Sequence, residues 1–138
     1  MNGIKTRDLQ IGDSAQFTKT VSESDIYLFA GITGDKNPAH IDESYTAGTC
    51  FKKRISHGML PAGFVSAVLG TRLPGPGTVS IKQNIFFRAP VYIGDTITAK
   101  AEVVEVDVEK NRARLKTVCT NQEGTLVLDG DALVSPPK

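Results

Sequence analysis

The chain has 138 residues, 40% hydrophobic and 22% charged, with a formal net charge of +1. That length fits one domain, residues 1–138, with a real core, and the small net charge gives no reason to expect nucleic acid or an anionic membrane as a partner. No apolar run is long enough to span a bilayer, Met1-Asn2-Gly3-Ile4-Lys5 lacks the apolar stretch of a signal peptide, and Cys50 and Cys119 are too few for a disulfide framework. A cytoplasmic protein with reduced thiols is expected. In chain order, Ser14–Val21 reads as a short strand. Ser22 then caps a helix, with Asp25 three residues on as in a capping box, and Ile26, Phe29, Ala30 and Ile32 are expected to face inward. Gly31 and Gly34 end that helix, and Asp42 can cap a brief one that closes near Gly48. Met59–Leu73 has almost no polar face, so a fully buried helix is expected, with Pro61 in its first turn and Leu73-Pro74-Gly75-Pro76-Gly77 ending it. From Thr78 the period changes to two, and Val79–Arg88, Asp95–Val106, Arg112–Thr120 and Thr125–Leu133 read as strands. An α+β protein follows, its antiparallel sheet wrapped around one central apolar helix.

The chemistry concentrates in Gly34-Asp35-Lys36-Asn37-Pro38-Ala39-His40-Ile41-Asp42. A carboxylate and an imidazole stand five positions apart, separated by an Asn-Pro pair that cannot continue a helix. A sharply bent, stiff loop would bring both side chains onto one small volume, as general acid/base work requires. Ser56-His57-Gly58-Met59 then opens the apolar helix, whose unpaired N–H groups and dipole suit a developing negative charge.

Gly-Asp-x-Asn-Pro-x-His-x-Asp, followed by His-Gly-Met, Pro-Gly-Pro-Gly and Phe-Arg-x-Pro-Val, resembles the MaoC-like hot-dog dehydratases, and most closely their single-domain (R)-specific enoyl-CoA hydratases. The resemblance covers nearly the whole chain. It implies a hot-dog fold, a homodimer, and reversible syn hydration of a short trans-2-enoyl-CoA such as crotonyl-CoA to an (R)-3-hydroxyacyl-CoA. By position it makes Asp35 and His40 the acid–base pair, Gly58 the backbone donor to the thioester oxygen, and Ser66 an active-site serine. An acyl-CoA partner is implied, or an acyl carrier protein thioester.

Each residue also has a plainer reading. Spacing alone leaves Asp35 evenly balanced between a turn aspartate and a base. His40 alone would be a half-buried surface histidine, and the resemblance tips both to catalysis. Asn37 reads as structural, shaping the site indirectly. His57 reads as a supporting residue at a helix start. Ser66 would otherwise bond its i−4 carbonyl. Leu69, one turn beyond Ser66, is expected to form the floor of the acyl tunnel. His40, Asp42 and His57 imitate a two-histidine, one-carboxylate metal set, but the dehydration chemistry requires no metal, and neither metal nor cofactor is expected. Lys52, Lys53, Arg54, Arg72, Lys82 and Arg88 are candidates for the CoA phosphates. Two rival functions stand beside the hydratase: an acyl-CoA thioesterase, against which the Asp-x-Asn-Pro-x-His loop argues, and a non-catalytic acyl-thioester-binding domain, which would suit a chain lacking Asp35 or His40.

Overall fold

The computed structural model describes residues 2–138. After a short turn of 3-10 helix at Thr6–Asp8, β1 (Ser14–Thr20) leads into α1 (Glu23–Thr33). The expected capping box forms: Ser22 Oγ accepts from the Asp25 N–H, and the Asp25 carboxylate accepts from the Ser22 N–H. Only Ile26 and Ala30 of α1 are fully buried; Phe29 is half-buried and Ile32, against expectation, is 82% exposed. Ile32 lies six residues after Ile26, about 240° round the helix, so the two cannot share a face.

Four further strands follow a helical stretch: β2 (Val79–Phe87), β3 (Thr96–Asp107), β4 (Arg112–Thr120) and β5 (Leu126–Ser135). Their bounds match the period-two reading to within a residue or two. All pairs are antiparallel, in the order β1-β3-β4-β5-β2, leaving β1 and β2 as edges. The sheet curls around α4 (Met59–Thr71), which packs chiefly on β3 and then on β1 and β4. This is the expected hot-dog arrangement. Alternation supplies the inner face, with Ile97, Ala99, Ala101 and Val103 of β3 and Ala113, Leu115 and Cys119 of β4 all buried. Val65, Val68 and Leu69 of α4 close the same core. Burying a side chain of that size contributes about 1.5–3 kcal/mol.

The helix is not buried all round. Met59 is 55% exposed, and Gly63 and Ser66 join it on an open stripe, since positions spaced by four and three share a face. The edge strand β2 is likewise apolar and open, with Val79, Ile81, Phe86 and Phe87 each exposed. No helix of the described residues is long and apolar enough to cross a membrane.

Candidate active site

Gly34 closes α1 in the left-handed conformation (φ 80°), which a glycine adopts without a Cβ penalty and which turns the chain sharply into the Asp35–Asp42 segment. Two short-range bonds then hold Asp35, and a third continues the turn. The Asp35 N–H donates to Thr33 Oγ1 (3.2 Å), its carboxylate accepts from the Asn37 N–H (3.2 Å), and Asn37 Oδ1 in turn accepts from the Ala39 N–H (3.1 Å). The segment is not a loop throughout. Pro38 opens a single helical turn, α2 (Pro38–Ile41), where its missing N–H costs nothing, and His40 rides on that turn. Asn37 is therefore the cap of α2, and Asp42 caps α3 (Glu43–Ala47) through the Tyr45 N–H (3.1 Å).

His40 is only 8% exposed, and its Nδ1 lies 2.9 Å from the Ile55 carbonyl. A carbonyl only accepts, so Nδ1 carries the proton and Nε2 is left as a bare acceptor, the state a base or water-holding group needs. The carboxylate joining the two histidines is Asp35 rather than Asp42: one ligating atom each of Asp35, His40 and His57 lie within 4.8 Å of one another. The two imidazoles face each other, ring centroids 3.9 Å apart and planes at 33°.

Beside this cluster opens a cavity of about 520 Å³ lined by His40, Phe51, Ile55, Gly58, Met59 and Phe87, among others. Gly58 caps α4 without a side-chain bond, and its N–H has no acceptor among the described residues. That free donor stands at the positive end of the helix dipole. Its backbone is ordinary helical (φ −61°), so the glycine is not there for its conformational freedom. A Cβ on Gly58 would come within 2.6 Å of the Phe87 ring, so the absent side chain is what lets Phe87 close the cavity wall over the helix end.

Ser66 and Leu69 do not join this cluster. Ser66 lies on the open stripe of α4, away from the cavity lining, and Leu69, expected as a tunnel floor, is sealed in the core at 1% exposure. A side chain three positions on is turned about 60° round the helix, enough to pass from surface to core. Of the basic candidates, Arg88 lines the cavity, with its guanidinium on the Asp129 carboxylate (2.7 Å). Arg54 instead ties α1 to α3 through Glu23, Tyr27 and Glu43, and Arg72 donates to the Gln16 carbonyl (2.6 Å). Lys53 lies over the Tyr92 ring at 5.8 Å. Phe51 carries no sequence signal that marks it as a site residue, and Phe87 opens the Phe-Arg-x-Pro-Val stretch of the resemblance without being marked by it as one. Phe87 belongs to an aromatic pair at a strand exit just before Pro90, but only the fold brings it against Gly58.

Burial lowers the His40 pKa, with a smaller push in the same direction from neighbouring His57; the Ile55 carbonyl and the Asp35 charge pull it back up. A histidine with a lowered pKa stays neutral further into acid. The acid limb of kcat/KM, which reports the free protein, should therefore have its midpoint below the ordinary histidine value of 6.5. Asp35→Asn removes an upward pull, so by NMR titration its His40 should protonate at lower pH than in the wild type. A His40 titration at or above 6.5, or an upward move in Asp35→Asn, would contradict this account.

The fold, with a carboxylate–imidazole pair beside a free helix-end N–H, defines a class, and comparison with known proteins places the chain in it. Residues 8–125 match the family model described as MaoC like domain, and the chain belongs to that family. It is 54% identical over 130 residues to a protein of Rhodospirillum rubrum named (R)-specific enoyl-CoA hydratase, covering 94% of this chain and 90% of that one. It is 52% identical over 131 residues to 3-hydroxybutyryl-CoA dehydratase of Methylorubrum extorquens, covering 95% and 83%. Among solved structures it resembles the unliganded R-hydratase PhaJ1 from Pseudomonas aeruginosa, with a TM-score of 0.92, 43% identity, and coverage of 99% and 87%.

Proposed function

We propose that this protein is an (R)-specific enoyl-CoA hydratase that reversibly adds water to short trans-2-enoyl-CoA thioesters. The observation that carries the reading is the approach of the Asp35 carboxylate and the His40 ring, polar atoms within 4.8 Å of one another, with His40 Nε2 left as a bare acceptor and the free Gly58 N–H on the adjoining cavity. Asp35 takes a proton from the water as its oxygen bonds to the β-carbon, and His40 Nε2 holds that water and relays the proton. Electrons displaced from the double bond move onto the thioester oxygen, where the Gly58 N–H and the α4 dipole stabilise the enolate. The enolate then collapses as its α-carbon takes up the relayed proton from His40 Nε2, on the face from which water came, giving syn addition and leaving both side chains in their starting states. Each step runs on side chains and a backbone donor and requires no metal or cofactor.

Arg88 at the cavity wall is the basic residue best placed for the CoA. The apolar edge of β2 and the open stripe of α4 are assigned to a homodimer in which two sheets join edge to edge, since an open apolar edge invites pairing. A soluble cytoplasmic enzyme made of one MaoC-like domain is the corresponding setting. Incubation with crotonyl-CoA should bleach the enoyl absorbance without releasing thiol. Thiol release would support a thioesterase instead, and no change in either signal would support a binding domain. Light scattering at micromolar concentration should give the mass of a dimer; a monomer would contradict the assembly.

A further inference from the structure

His57 is the one polar ring of the cluster for which the proposed chemistry gives no task. It is 2% exposed and does not line the cavity. Its Nε2 lies 2.9 Å from the backbone carbonyl of Asp35, so Nε2 carries a proton and donates it there. Its Nδ1 is buried with no partner among the described residues. Burying a polar atom unpaired costs free energy, a cost that a phenylalanine filling the same slot would avoid. The ring also stacks on His40 and packs 4.7 Å from Phe29, contacts that phenylalanine could reproduce. What phenylalanine could not reproduce is the bond to Asp35.

The residues before α4 grip the catalytic segment at three points. The Ile55 N–H donates to the Ala39 carbonyl (3.1 Å), His40 Nδ1 donates to the Ile55 carbonyl (2.9 Å), and His57 Nε2 donates to the Asp35 carbonyl. The first two fix His40, and only the third reaches Asp35. The residue after His57 is Gly58, which carries the free N–H. His57 therefore ties the backbone of the residue that takes the proton directly to the residue that holds the enolate.

We infer that His57 is a positioning residue, whose Nε2–H bond to the Asp35 carbonyl holds the base in register with the Gly58 donor. It touches neither substrate nor reacting atoms. The inference rests on the hydratase reading, so wild-type turnover of crotonyl-CoA is the control that tests that reading by itself. In a wild-type protein that hydrates crotonyl-CoA, His57→Phe keeps the packing and loses the donor. Its kcat should fall about ten- to a hundred-fold, because misplacement of a reacting group by about 1 Å costs that much, while KM stays nearly constant. His57→Gln places an amide nitrogen near the position of Nε2 and should recover most of the lost kcat. His57→Asn places its amide near Nδ1, short of the carbonyl, and should behave like the phenylalanine variant. The glutamine–asparagine pair keeps the test decisive if His57→Phe does not fold, since both remain polar and differ chiefly in reach. Unfolding midpoints of the variants are measured alongside. The inference is overturned if His57→Phe retains wild-type kcat, if glutamine rescues no better than asparagine, or if kcat simply follows the loss of stability.

Discussion

Asp35→Asn should leave the fold intact and reduce turnover of crotonyl-CoA by about a hundred- to ten-thousand-fold, the usual contribution of a positioned general base. The fold should survive because Asp35 is exposed, and the bond its side chain makes, accepted from the Asn37 N–H, is open to an asparagine Oδ1 as well. The amide cannot take a proton from water at neutral pH, so only the chemical step is lost. His40→Gln should lose a comparable factor, because an amide at the Nε2 position cannot take up and relay a proton and the Nδ1 tie to the Ile55 carbonyl is lost. The two groups act on the same water, so their effects should not multiply: the double variant should be little worse than either single one. Single-turnover hydration of crotonyl-CoA, followed at the enoyl band, measures this directly. If Asp35→Asn keeps a third or more of wild-type activity, Asp35 is not the base.

The second large effect concerns stability. Leu69→Ala should destabilise the protein by about 2–5 kcal/mol, as large-to-small changes in closed cores do. Leu69 is 1% exposed among Val65, Val68 and the inner face of the sheet, and a rigid sheet on one side limits how far the hole can collapse. Against a total stability of about 5–15 kcal/mol, that is a substantial fraction. Denaturant unfolding at constant m-value measures it. The same variant decides between core and tunnel. If Leu69 is core, the ratio of kcat/KM for octenoyl-CoA and crotonyl-CoA should stay where it is. A loss below about 1 kcal/mol together with a shift toward octenoyl-CoA would restore the tunnel floor that the sequence spacing predicts.

Much of this protein is legible in its sequence, because the features concerned are local. Ser22 and Asp25 sit three apart, and the capping box they form involves no other part of the chain. Period-two alternation in residues 79–135 identifies four strands because side chains on a pleated strand must alternate between faces. Asp35, Asn37, Pro38 and His40 declare a turn because proline restricts its neighbour and asparagine caps the helical turn beyond it, and both effects act within a few residues. The pairing of Asp35 with His40 is within reach for the same reason.

The features that the sequence leaves open depend on which distant residues meet. Strand order is one case: β2 pairs with β5 across about fifty residues, and no periodicity encodes that choice. Helix faces are another. Ile32 and Met59 look as apolar as Ile26 and Val65, but which face turns inward is set by where the sheet lies, and the exposed stripe of α4 exists only because the sheet covers the opposite side. The distinction between Ser66 and Leu69 is of this kind, a turn of the helix axis that decides surface or core. So is the work of His57. Its neighbours in sequence suggest a helix start, while its partner, the Asp35 carbonyl, lies 22 residues earlier. The sequence alone determined which local structures form and which residues could carry acid–base chemistry. Tertiary packing alone decided which groups share the site, because contacts between distant segments depend on how the whole sheet closes around its helix.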